Sequence, residues 1–222
     1  AVTSAARSAR PAPFSRPQKR KRVSNMKNTN FLVVGVGGQG TVLSGDVLAE
    51  VGMTAGYDSK KSDVLGLAVR SGSVISHIRW GEKVNAPMSM KGTVDYLLAF
   101  EPLEAIRMTG YLHPDSTAIV NEYRIPPAAV TTGQVKYPEI EKIKQILAGT
   151  AQTVYYINAT EKAKELGNVK AVNILLLGAL SSLFEISPRV WEGVITKYVP
   201  DRFRELNLRA FHAGRELISK EI

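Results

Sequence analysis

Cysteine is absent from this 222-residue chain. Disulfides, thiolate-bound zinc and cysteine-held iron–sulfur clusters are therefore excluded within it. Histidine is scarce. His77, His113 and His212 are not spaced as a metal motif, so no metal ligand is assigned. Long apolar runs are missing as well. The stretch from Val172 to Leu180 falls short of the roughly 18 residues a membrane helix needs. A soluble, cytoplasmic protein without a membrane partner is expected. Acids are missing from one region. Residues 1–25 contain Arg7, Arg10, Arg16, Lys19, Arg20, Lys21 and Arg22 and no Asp or Glu. The other 22 Lys and Arg face 20 Asp and Glu, so the net charge of +9 belongs mostly to this tail.

The tail, residues 1–25, is rich in Ala, Ser, Arg and Pro and has no hydrophobic periodicity, so it is expected to be disordered. Met26 stands where a natural start would fall, a few residues ahead of the first strand. Translated upstream sequence, an Arg- and Ser-rich transit peptide and a nucleic-acid patch through Lys19 to Arg22 are the three readings. Residues 26–222 show no zinc spacing, RNA-binding aromatic motif or helix-turn-helix pattern. No nucleic-acid partner is expected.

What is present is an alternation of strand and helix patterns. Apolar runs predict strands over Thr29 to Val36, Ser73 to Trp80, Val94 to Phe100, Thr117 to Asn121 and Thr153 to Ala159. Helical spacing marks Thr41 to Met53, the segment after Glu101, and Glu139 to Leu147. It also marks Glu161 to Leu166 with Thr160 as cap, and the long apolar run Val169 to Phe184. Two further helices follow, one opened by Ser187 and Pro188 and one over Arg202 to Ile218. The stretch Tyr123 to Tyr137 reads as irregular. The pattern predicts an α/β, Rossmann-like layered fold with a mainly parallel sheet flanked by helices.

Two glycine-rich segments stand out. "GVGGQG" follows the first strand and precedes a helix, with Gly35, Gly37, Gly38, Gln39 and Gly40 forming the turn. Bare backbone lets a ligand or another segment approach, and the helix amides behind it favour negative charge. A dinucleotide site would also need an acid about 20 residues on, at the end of a second strand. Asp58 is near that distance, but no apolar strand leads to it. The second segment, "DVLGLAVRSGSVISHIRWG", sets Arg70, Ser71, Gly72 and Ser73 directly ahead of a strand. Arg beside small donors can hold a phosphate or carboxylate. Asn173 is a polar residue inside the apolar helix, read either as a satisfied core amide or as part of a buried network or a subunit contact.

"GVGGQG", "GLAVRSGSVISHIRWG", "APMSMKGTVDYLLAFEPLEAIR", "AIVNE" and "ELGNVKAVNILLLGAL" occur in that order. Together they resemble the gamma domain of the 2-oxoacid:ferredoxin (acceptor) oxidoreductases, closest to the branch of the indolepyruvate enzymes' small subunit. The resemblance runs from about Phe31 to Leu217 and makes residues 26–222 one gamma-type domain. It implies a subunit of a complex that oxidatively decarboxylates a 2-oxoacid, aryl pyruvate or aryl glyoxylate, to an acyl-CoA. Thiamine diphosphate, magnesium and [4Fe–4S] clusters are then expected on larger partner subunits, with ferredoxin as acceptor. CoA is a co-substrate, and no catalytic residue is expected here. The glycine loop, Arg70, Ser71, Gly72 and Ser73 are the expected cofactor-binding residues. Val69 stands where the family has Gln, and Ser71 where it has Gly. A stand-alone NAD- or FAD-dependent oxidoreductase and a nucleotide-sensing scaffold are the alternative readings.

Overall fold

The first strand, β1 (Thr29–Val36), is apolar on both faces and is buried along nearly its whole length. Such a strand has to lie inside a sheet that is covered on both sides. In the computed structural model, which describes residues 27–66 and 72–219, β1 is the third strand of six. The tail of residues 1–25, and Arg70 and Ser71, lie outside the described residues.

The elements follow as α1 (Thr41–Thr54), β2 (Asp58–Leu65), β3 (Ser73–Gly81), β4 (Val94–Ala99), α2 (Pro102–Arg107), β5 (Leu112–Asn121) and α3 (Ala128–Thr131). Next come α4 (Ile140–Ala148), β6 (Thr153–Ile157), α5 (Ala159–Glu165), α6 (Val172–Ser181), α7 (Pro188–Tyr198) and α8 (Arg204–Ser219). The strand order is β2-β3-β1-β4-β5-β6. β1, β4, β5 and β6 run parallel, and β3 pairs antiparallel with both β1 and β2. Side chains alternate across β1 as its pleat requires. Phe31 and Val33 enter the core beneath α1, α6, α7 and α8, whereas Leu32 and Val34 enter the core beneath α2 and α4.

α6 is buried at every one of its residues, and it achieves this through glycine. A Cβ on Gly178 would overlap the Phe211 carbonyl of α8, and one on Gly214 would overlap the Leu175 carbonyl of α6. The two backbones therefore meet at a crossing that no larger residue permits. This crossing seats α6 so that its N-terminal turn reaches the end of β1.

The structure departs from the sequence expectations at several points. β2 was not expected, because its first six residues, "DSKKSD", are all charged or hydroxyl-bearing. It is an edge strand with its outer end exposed, where charge is tolerated and discourages unwanted pairing. Asp58 begins β2 instead of ending it. It pairs with Gly81, next to the start of β1, so it lies at the far end of the sheet from the glycine loop. Its carboxylate is held by Lys60 and the Val84 amide, each at 2.8 Å. That placement removes the ribose-binding acid the dinucleotide reading required. β5 starts at Leu112 rather than Thr117. Ser116 holds its irregular first half, accepting from His113 N at 2.8 Å and donating to Val94 O at 2.7 Å. Asn158, not Thr160, caps α5 through Glu161 N. The apolar helix begins after a 3-10 turn, Val169–Ala171, and ends at Ser181. The stretch read as irregular contains the short α3.

Two outcomes follow. Gly214→Ala is expected to lower stability by about 1–3 kcal/mol through forced separation of α6 and α8. Gly193→Ala, on an open face of α7, is expected to raise it by up to ~1 kcal/mol. Denaturant midpoints of the pair check both. His77 is buried, its pKa is lowered by burial, and its Nδ1 accepts the Ser89 amide at 3.3 Å, as only the neutral ring can. The unfolded chain gains this proton as pH falls through about 6.5, and the native state resists it. Stability contributed by His77 is thus present above that pH and is lost on acidification. The loss measured between pH 7.5 and 5.5 is expected to shrink in His77→Gln.

Candidate functional site

Between β1 and α1 the chain turns through Gly38 and Gly40, at φ 102° and 87°. Both angles lie in the left-handed region, where a side chain is strained. The loop is fixed by the one large residue in it. Gln39 Oε1 accepts from Val36 N at 2.7 Å, and its Nε2 donates to the Phe100 carbonyl at 3.1 Å. One side chain thus ties the end of β1 to the end of β4. The same carbonyl receives Asn121 Nδ2 at 3.1 Å, and that amide also donates to Thr160 Oγ1 at 3.0 Å. The network crosses the C-terminal ends of β1, β4 and β5 and reaches α5. This end of a parallel sheet is where α/β proteins open a crevice for ligands.

Most of the glycines serve the protein's own packing. A Cβ on Gly35 would lie within 2.9 Å of Thr41, Gln39 and Phe100, and one on Gly40 would lie 2.9 Å from Asn173 Nδ2. Gly37 N donates to the Gly72 carbonyl at 2.8 Å, so the two glycine-rich segments touch. Gly38 is exposed, and a Cβ there would meet nothing within 4 Å. It borders a crevice of about 470 Å³ whose walls include Leu43, Tyr123, Ile125, Lys170 and Val172. Gly40 caps α1 without any side-chain bond, which leaves the first-turn amides available to an acceptor.

Ser73 sits in register with Val36, at the edge of this region. Its hydroxyl is committed elsewhere, donating to Glu104 Oε2 at 2.5 Å. Asn173 is only 4% exposed, and its Oδ1 has no hydrogen-bond partner among the described residues. The satisfied-amide reading is thus not what the geometry presents. Thr41 Oγ1 and Asn121 Oδ1 are orphaned in the same neighbourhood. Buried polar atoms without partners cost about 1–3 kcal/mol each. Three of the nine such atoms among the described residues, those of Thr41, Asn121 and Asn173, lie at this end of the sheet.

Several contributors were missed in the sequence. Tyr123 and Ile125 belong to a strap, residues 122–138, that forms one wall of the crevice. The buried Glu101 carboxylate fastens both ends of it. It accepts from Ile125 N at 3.2 Å and from Tyr137 OH at 2.5 Å, and it caps α2 through Glu104 N at 3.0 Å. Burial and the adjacent Glu101 hold the Tyr137 phenol far above its ordinary pKa, so it remains a donor. Asn121 and Thr160 left one signal each, a polar residue closing a buried strand and a hydroxyl near a helix start.

The mostly parallel six-stranded sheet with its flanking helices has the fold of solved subunits of oxoacid:ferredoxin oxidoreductases. The gamma subunit of keto/oxoacid ferredoxin oxidoreductase from Geobacter sulfurreducens superposes with a TM-score of 0.64 at 23% identity. That likeness covers 86% of this chain and 99% of that one. The 2-oxoglutarate:ferredoxin oxidoreductase of Magnetococcus marinus gives 0.69 at 22% identity, over 88% of this chain and 32% of that one. Residues 30–217 match the pyruvate ferredoxin/flavodoxin oxidoreductase family. The chain belongs to that family, as a small-subunit member of its 2-oxoacid:ferredoxin oxidoreductases. Indolepyruvate oxidoreductase subunit IorB of Thermococcus kodakarensis is 36% identical over 192 residues, 85% of this chain and 95% of that protein. The stand-alone dinucleotide-dependent reading is set aside.

Gln39→Leu is expected to free the loop without unfolding the sheet, lowering stability by about 1–3 kcal/mol. Hydrogen exchange locates the effect. The Val36 amide, which donates to Gln39, is expected to gain more in exchange rate than the Leu98 amide inside β4, which speeds up only as far as global stability falls.

Proposed function

We propose that this chain, with residues 26–222 as one domain, is the gamma-type subunit of a complex that oxidatively decarboxylates an aryl 2-oxoacid. The products are an acyl-CoA and two electrons, passed toward ferredoxin or a similar acceptor. The proposed partners are larger subunits that hold thiamine diphosphate, magnesium and [4Fe–4S] clusters. The residues of this chain do not fit the clusters or the magnesium. It contains no cysteine, and no group of His, Asp and Glu suited to a metal occurs among the described residues. Thiamine diphosphate, bound by the partner, supplies the carbanion chemistry of decarboxylation. The part assigned to this chain is binding and orientation, and alone it is inactive. The indolepyruvate name of the Thermococcus relative is the basis for choosing an aryl pyruvate. The cytoplasm is the proposed location.

The observation that supports a binding role is the crevice at Gly38. The uncapped first turn of α1 suits phosphate oxygens. Lys170 adds a cation beside the apolar wall of Leu43, Ile125 and Val172. That combination of an anion end and an apolar end suits CoA, which was bound in the Magnetococcus enzyme. Arg70, Ser71, Gly72 and Ser73 are proposed to flank the same phosphates through their backbone and the Arg70 guanidinium.

Anaerobic purification of the tagged chain from its own host tests the assembly. A larger, cysteine-rich partner that brings iron and thiamine diphosphate is expected, with or without residues 1–25. A chain that emerges alone and colourless would overturn the reading. In the assembled complex, Lys170→Ala is expected to raise KM for CoA about fivefold with kcat little changed. An unchanged KM would remove Lys170 from the CoA site.

A further inference from the structure

The opposite end of the sheet carries a second cavity. It has a volume of about 330 Å³ and opens where β1, β4 and β5 begin, some eight residues of β1 away from the glycine loop. Tyr57, Tyr96 and Phe184 form its aromatic walls. Their rings are held from behind. Tyr96 stacks on Phe31 at 5.6 Å and meets Phe184 at 4.9 Å, while Tyr57 stacks on Trp80 at 5.4 Å. Walls fixed in this way need little reordering when a ligand enters. Burial and the neighbouring Asp95 raise the Tyr96 phenol above its ordinary pKa, so it stays neutral.

The polar groups of the cavity carry both signs of charge. Asp95 Oδ2 accepts from Asn30 N at 2.7 Å, which fixes the carboxylate, and Oδ1 lies 3.5 Å from His113 Nε2. His113 Nδ1 accepts the Asp115 amide at 3.2 Å, so its ring presents Nε2–H to Asp95. Asp115 and Lys27 line the same cavity. Neither is in an ion pair with another described residue.

We propose that this cavity binds a small aromatic zwitterion, in its simplest form an aromatic α-amino acid. The ring lies among Tyr57, Tyr96 and Phe184. The ammonium meets Asp95 and Asp115, and the carboxylate meets Lys27. An amine without a carboxylate leaves Lys27 unanswered, and a carboxylate without an amine faces two acids. The volume lies at the small end of the roughly 300–1,000 Å³ range of ligand pockets, which fits one ring with a short polar chain. The site stands apart from the crevice, and it does not depend on the function proposed above.

Trp80 is a built-in reporter, since its ring touches Tyr57 and also meets Phe184 at 5.6 Å. In the full chain carrying Trp191→Phe, Trp80 is the remaining tryptophan. Its emission is followed as L-phenylalanine, phenethylamine or phenylacetate is added. A saturable change with L-phenylalanine is expected, with the other two binding about tenfold more weakly or worse. Asp95→Asn keeps an acceptor for Asn30 N, and Asp115→Asn lies on an exposed position. Each is expected to weaken L-phenylalanine about tenfold while the melting temperature holds. Absence of saturation, equal affinity for the three probes, or unchanged binding in both variants would overturn the proposal.

Discussion

The close crossing of α6 and α8 is the constraint on which the rest of this structure depends. Glycine at 178 and 214 lets each helix rest on the other's carbonyls. Only at that depth does every face of α6 become buried. The same seating brings Asn173 against Gly40, so the glycine loop is shaped from two directions. Gln39 pulls it toward β4, and α6 closes it from the side. At Gly35 and Gly40 the loop glycines are a matter of space, whereas Gly38 faces outward with nothing near it.

The sheet core was legible because a buried parallel strand has few ways to look. β1 and β4 carry buried apolar runs, Phe31 to Val34 and Leu97 to Phe100, followed by glycines or by an acid and proline, and their bounds were read nearly as found. β2 was not legible for the opposite reason. An edge strand answers to solvent on one side, so its sequence need not alternate in hydrophobicity. The two candidate caps of α5, Asn158 and Thr160, are both capping residue types. What decides between them is Asn121, 39 residues away in sequence, which engages the Thr160 hydroxyl. The site divided in the same way. The glycine loop announced itself locally, whereas Glu101 read only as an acid where a helix begins. Its grip on Ile125 and Tyr137 spans 24 and 36 residues, and no short window contains both.

The two ends of the sheet differ in how they treat charge. At the C-terminal ends of the strands the protein presents amide donors, one lysine and orphaned polar side chains beside apolar walls. At the N-terminal ends it presents carboxylates and a lysine around fixed aromatic rings. The first arrangement suits an extended anion, and the second suits a compact ligand of mixed charge. Both are outcomes of one topology. Parallel strands gather their turns at two opposite rims, and each rim collects side chains from segments distant in the chain.

The strap over residues 122–138 is anchored at two points by one buried carboxylate and is otherwise exposed through much of its length. Mutations between those anchors are cheap for the fold, because neither the sheet nor the Glu101 bonds register them. They are not cheap for the crevice, whose wall the strap supplies through Tyr123 and Ile125. A lineage that keeps Glu101 and Tyr137 can therefore rebuild that wall residue by residue. Ligand preference can drift within the family while the scaffold beneath it stays still.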